Sequence, residues 1–164
     1  MPILDWTRTE LAAPMSSGAT AMYFDLLDFI AFDCFILERM DAQNDYEKQL
    51  VDKAKHHFEG FSKEKKLILS KNITAGLPGA GETLTFQEVK RRLDGYSGID
   101  ADKLRENFKY FLDAVVPTAE KLGVRLCCHP DDPPWPLLGL PRIMSTEEDY
   151  NWLVNVNPSK ANGI

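Results

Sequence analysis

Residues 123–136 read GVRLCCHPDDPPWP, a short apolar run that ends in a histidine just before two aspartates and four prolines. His129 is one of three histidines; the other two, His56 and His57, are adjacent in a charged stretch of helical period. Neighbouring residues on a helix diverge by about 100°, so that pair makes a poor chelate. His129 stands instead at the last position before Pro130 stops a strand. A histidine at a strand's end can simply be hydrogen-bonded there, or it can be a divalent-metal ligand. The second reading gains weight from position, because enzymes built on β/α barrels keep their chemistry at the C-terminal ends of the strands. Asp131 and Asp132 follow at once and are candidate acceptors to fix the ring tautomer. The prolines stiffen the turn, which suits a ligand that must be held in place.

Side chains alternate along a strand. If His129 points into a barrel, Cys127 and Arg125 share its face, while Val124, Leu126 and Cys128 lie under covering helices. The Cys-Cys-His run is therefore not a three-ligand cluster, since Cys128 faces away and Cys127 sits deeper than the mouth. Arg125 points toward the far end, where it needs a carboxylate.

The elements that must position these residues follow from periodicity and caps. Residues 1–22 read as irregular. Amphipathic helices are predicted over 24–38, 46–61 and 62–74, the last capped by Ser62. The sequence AGLPGAGE then breaks the chain; it resembles a phosphate loop only loosely, with no Lys-Ser/Thr pair after it, and reads as a turn. TFQE is a capping box, Thr85 with Glu88, opening a short helix to about residue 93. A long helix runs from Asp100, its cap, to Gly123, which ends it in the left-handed conformation. Leu104, Phe108, Phe111, Leu112, Val115, Ala119 and Leu122 form its apolar stripe, and Pro117 should bend it. VRLCC is a buried-strand candidate. STEE, Ser145 with Glu148, is a second capping box for a helix through about residue 154. The order helix–Gly–strand–loop–helix over 100–155 is that of a β/α unit, whose strand expects parallel neighbours. None is legible, so VRLCC reads as a solitary strand. The expected fold is α/β but mostly helical, part of a barrel rather than a whole one.

Composition narrows the function classes. The chain has 164 residues and a net charge of −6, which suits one globular domain and argues against a nucleic-acid surface. The basic stretch SKEKKLILSK has the spacing of a solvated helix face. Three cysteines, two of them adjacent, make no disulfide framework and point to a reducing cytoplasm. No apolar run approaches the ~20 residues of a membrane span, and MPILDWTRTE lacks the pattern of a signal peptide.

The run HPDDPPWPLLGLPRIMSTEEDY, with MPILDWTRTEL, ITAGLPGAGE, LRENFKYFLDAVVPTAEKLGVR and NPSKANGI, resembles the mannonate dehydratase family, in its longer, enterobacterial-type members. The likeness covers essentially the whole chain. It implies a (β/α)₈ barrel that uses Fe²⁺ or Mn²⁺ to dehydrate D-mannonate to 2-dehydro-3-deoxy-D-gluconate in hexuronate breakdown, and a homo-oligomer when full length. It also implies that His129 is one metal ligand, with a cysteine on the next strand, a later histidine and an aspartate lying beyond Ile164. The chain is then expected to hold the middle of the barrel, from the loop after strand three to the helix after strand four. Residues 24–93 would be a helical insertion in a β/α loop on the active-site face, and 1–164 a single incomplete barrel domain. By itself it is expected to be inactive, because a catalytic metal needs about three protein ligands or more.

Within that implied site, Arg8 in DWTRT is the candidate for gripping the substrate carboxylate through its bidentate fork, and Trp6 for walling the pocket. The alternatives are an Arg8–Asp5 ion pair and plain packing of Trp6. Arg142 in GLPRI is expected to bind backbone or an aspartate of its own loop. No residue here is assigned as the general base. Two other readings stand beside this one: a metal-dependent sugar isomerase on a similar barrel, and a helical interaction module without catalysis.

Overall fold

A computed structural model describes residues 7–75 and 84–164, so Asp5, Trp6 and the GLPGAGE turn lie outside the described residues. The chain divides into two compact units, residues 1–97 and 98–164.

The first unit opens on an antiparallel hairpin, β1 (Glu10–Pro14) with β2 (Thr20–Tyr23), where irregular chain was expected. Its strands are alanine- and proline-rich and show no period of two, and the register slips between Glu10 and Ala13. Pairing, not pattern, makes them strands. Thr9 staples the hairpin: its Oγ1 donates to the Tyr23 carbonyl at 3.2 Å and accepts the Asp25 N–H at 2.8 Å, while Asn72 Nδ2 donates to its carbonyl at 3.0 Å.

Helix α1 (Leu26–Ala31) is capped by Asp25 and runs into a π-helical turn at Phe32–Ile36. Helices α2 (Lys48–Glu59), α3 (Lys63–Thr74, capped by Ser62) and α4 (Phe86–Asp94, capped by Thr85) follow. Only half of the expected box forms at Thr85, since the Glu88 carboxylate turns to Arg91 and Arg92 instead. Ile30, Ala31, Val51 and Ala54 make the core between α1 and α2, with Phe35, Phe58 and Phe61 packed at its edge.

A buried polar network ties the segment after the π turn to that core. Asp33 is fully buried and accepts two bonds from Arg39, Nε to Oδ1 at 2.9 Å and Nη2 to Oδ2 at 2.7 Å. Tyr46 donates to Asp33 Oδ2 at 2.7 Å, and Arg39 Nη2 also reaches Asp45 at 2.7 Å. Burial, and then the Asp33 charge, push the Tyr46 hydroxyl up and raise the neighbouring Cys34 thiol to about 11.

In the second unit, α5 (Ala101–Leu122) starts on Asp100, which accepts the Lys103 N–H at 2.8 Å, and continues through Pro117 to Gly123 at φ +65°. Its buried stripe differs from the expected one: Val116 joins Leu112 and Ala119 inside, while Phe111 and Leu122 are exposed. Strand β3 (Leu126–Cys127) is not solitary. It pairs in parallel with β4 (Asn162–Gly163), Leu126 opposite Asn162 and Cys127 opposite Gly163. Between them runs α6 (Glu147–Val156), so the unit is a helix-crossed parallel pair. Asn and Gly are poor strand formers, which is why NGI carried no strand signal.

The described residues are thus a mostly helical α/β chain. Arg39→Met should lower the unfolding free energy by about 3 kcal/mol, because it strands a buried carboxylate, whereas Tyr46→Phe should cost about 1 kcal/mol. Urea titration distinguishes the two, and equal losses would show that the ion pair is not what holds this segment.

Candidate functional site

The faces of β3 follow the alternation. Leu126 and Cys128 pack against the α5–α6 core, while Arg125, Cys127 and His129 are exposed on the other side. Val124 departs from the expectation: it is exposed rather than covered by helices. The Cys128 thiol is raised by burial and then by Asp131, so it is a packing group and a poor ligand. Arg125 folds across Gly163, where an added Cβ would lie 2.5 Å from its Nε. That strand can lie beside Arg125 because it has no side chain there.

The His129 ring is held by the backbone. Its Nδ1 lies 2.7 Å from the Pro130 carbonyl oxygen. A carbonyl only accepts, so Nδ1 carries a proton, and in the neutral form of the ring Nε2 is the atom with the lone pair. This replaces the expected aspartate at Nδ1. Asp131 is committed elsewhere: its Oδ2 accepts the N–H groups of Met144 at 2.7 Å and Ile143 at 3.1 Å and the Ser145 hydroxyl at 3.1 Å. Asp132 is exposed and precedes Pro133 through a cis peptide bond. Arg142 does as expected, with Nε donating to the Trp135 carbonyl at 3.3 Å and Nη1 3.6 Å from Asp131 Oδ1.

A second aspartate completes the loop. The cap of α6 is Thr146 with Asp149, one residue later than the expected Ser145–Glu148 box. Asp149 Oδ2 accepts the N–H groups of Ser145 and Thr146, both at 3.0 Å, and Arg105 Nη2 reaches its Oδ1 at 2.8 Å. Burial alone would raise its pKa. The Ser145 and Thr146 donors and the Arg105 guanidinium outweigh that cost and hold the carboxyl below its usual range. The signal was legible as T-x-x-D, overlapping S-x-x-E in STEED; Arg105, from another helix, decides between them.

Arg8 is half-buried, and its Nη1 donates to the Thr7 carbonyl at 2.8 Å. Among the described residues no three His, Cys, Asp or Glu side chains gather as a metal site, so His129 offers a single donor. Among the same residues, no helix is long and apolar enough to cross a membrane.

A family model described as D-mannonate dehydratase (UxuA) matches residues 1–164. The chain belongs to the mannonate dehydratase family. Mannonate dehydratases from Marinomonas sp. and Chromohalobacter salexigens are each 48% identical over 164 residues, all of this chain and 42% of theirs. Mannonate dehydratase 1 from Agrobacterium fabrum is also 48% identical, over 41% of its length. The chain therefore spans less than half the length of these relatives. The crystal structure of mannonate dehydratase from Streptococcus suis serotype 2 aligns over the whole chain and 33% of that structure, with a TM-score of 0.58 and 27% identity.

Asp149→Asn should cost about 1–3 kcal/mol at pH 7. Because the folded pKa lies below the unfolded one, the carboxylate's contribution is complete above the ordinary aspartate range and is lost as pH falls through the folded value. The gap between wild type and variant in denaturant titrations should therefore narrow below about pH 4. A gap that holds constant on acidification would locate the effect elsewhere.

Proposed function

We propose that this chain supplies the His129 ligand and part of the substrate grip of a divalent-metal mannonate dehydratase. In this reading β3, α6 and β4 are one β/α step of a (β/α)₈ barrel, and residues 24–93 are a helical insertion on its active-site face. The observation that carries the proposal is the orientation of His129. The imidazole is turned away from the covering helices, and its Nδ1–H is fixed on Pro130, so Nε2 is presented as the donor atom. Such a ring fits Fe²⁺ or Mn²⁺, with the other ligands drawn from the rest of the longer protein.

The reaction removes the proton from C2 of D-mannonate and breaks the C3–O bond. Water leaves, and the resulting enol becomes the ketone of 2-dehydro-3-deoxy-D-gluconate. When bound, the metal would act as a Lewis acid toward the negative charge that builds on substrate oxygens. This chain's residues do the positioning. His129 fixes one donor atom through a rigid, proline-rich turn clasped by Asp131. The Arg8 guanidinium binds the substrate carboxylate.

In the full-length enzyme, His129→Gln should reduce metal content per protomer and lower turnover of D-mannonate at least about a hundredfold. Full metal loading with unchanged turnover would remove His129 from the site, and a wild-type enzyme that leaves D-mannonate intact would end the functional reading. Arg8→Lys should raise KM about tenfold or more, because an ammonium cannot replace a bidentate fork. An unchanged KM would separate Arg8 from the carboxylate.

A further inference from the structure

The parallel register sets Cys127 opposite Gly163, and by extension Arg125 opposite Ala161. The Arg125 guanidinium nevertheless lies over Gly163: a Cβ built there would fall 2.5 Å from Nε, 2.6 Å from Nη2 and 3.0 Å from Cζ. The side chain therefore runs sideways onto β4 and forward along the strands, not toward the far end where alternation alone put it. Gly163 is buried beneath it, while Arg125 is exposed. Among the described residues the guanidinium makes no hydrogen bond and no ion pair.

Two constraints act on that cation. Parallel strands are found almost only in sheets covered on both faces. Among the described residues only one face of this pair is covered, by the α5–α6 core. An arginine cannot shed its charge on burial as a lysine can. A guanidinium enclosed without a counter-charge is costly, so whatever closes the open face must bring an anion. The relatives have chain enough to close it, since the matched residues are 41–42% of their length.

We propose that the open face of β3 and β4 is an interaction surface for a carboxylate-bearing segment of the longer protein. An Asp or Glu of that segment takes the Arg125 guanidinium in a bidentate pair. Arg125 is then a positioning residue, tying a neighbouring segment to the strand that ends in His129. Gly163 is the other half of the device, because its missing side chain lets the guanidinium lie against β4. The substrate carboxylate is the competing anion. Against it, the guanidinium lies at the level of Cys127, two residues short of His129 and so behind the rim. The inference rests on the reading that this pair belongs to a larger sheet.

The test uses the full-length enzyme, metal-loaded and without substrate. Arg125→Met should raise the unfolding equilibrium constant at pH 8 at least about a hundredfold in denaturant titrations, because it strands the partner carboxylate. The stranded group takes up a proton on acidification, so the gap to wild type should narrow toward pH 5. Cys127 and His129, the other titratable groups on that face, are common to both proteins. Arg125→Lys keeps the charge and should recover most of the loss at pH 8. Gly163→Ala drives the guanidinium off β4 and should cost about tenfold, but far less when combined with Arg125→Met. Should Arg125→Met not accumulate as folded protein, Gly163→Ala decides, an unchanged transition counting against the proposal. Metal content and D-mannonate turnover, measured alongside, test the catalytic reading separately. A guanidinium that merely meets water predicts wild-type stability in every variant, and that result overturns the proposal. So does a gap that ignores pH, or one that appears only when D-mannonate is added, which would assign Arg125 to the substrate.

Discussion

Leu126 donates its N–H to the Ala161 carbonyl at 2.7 Å, and Cys128 donates to the Gly163 carbonyl at 3.1 Å. On this short parallel ladder the rest of the C-terminal unit depends. A two-residue strand has no internal hydrogen bonds of its own, and without β4 its backbone groups would be left to water. With β4 in place, β3 has a defined pleat: Leu126 and Cys128 turn to the α5–α6 core, and Arg125, Cys127 and His129 turn the other way. Gly163 is part of the same constraint, because Arg125 crosses the space that a Cβ would fill.

The loop leaving β3 is then held at both ends by carboxylates. Asp131 gathers Ile143, Met144 and Ser145 back to the strand's end, and Asp149 gathers Ser145 and Thr146 onto the start of α6. Arg142 and Arg105 balance their charges. Each aspartate accepts several backbone or hydroxyl donors at once, which is how a long irregular segment can be rigid without regular structure. The consequence for chemistry is indirect but definite. The imidazole is anchored by its neighbour's carbonyl, so neither aspartate needs to leave the loop to orient it.

The first unit solves a similar problem with Asp33. Its buried carboxylate accepts from Arg39 and Tyr46 and so pins residues 37–46 against the π turn. The partners lie six and thirteen residues away, and every donor is supplied within the segment being held. Among the described residues, by contrast, the buried Thr7 hydroxyl has no hydrogen-bond partner.

Local rules determined much of this protein. Ser62, Thr85 and Asp100 start helices because a short side-chain oxygen meets the free N–H groups of a first turn, and Gly123 ends α5 because it accepts φ +65° without strain. The alternation that exposes His129 and the motif run that marks the family were also legible along the chain. Tertiary contact decided the rest. Strands Glu10–Pro14 and Asn162–Gly163 exist only because a partner is opposite them, and their alanine, proline, asparagine and glycine carry no β signal. Which face of α5 is buried was set by what packs on it, so Val116 went in and Phe111 stayed out. Caps and turns depend on neighbours a few residues away; pairing, burial and the partner of each carboxylate depend on residues far off in sequence, which no local pattern encodes.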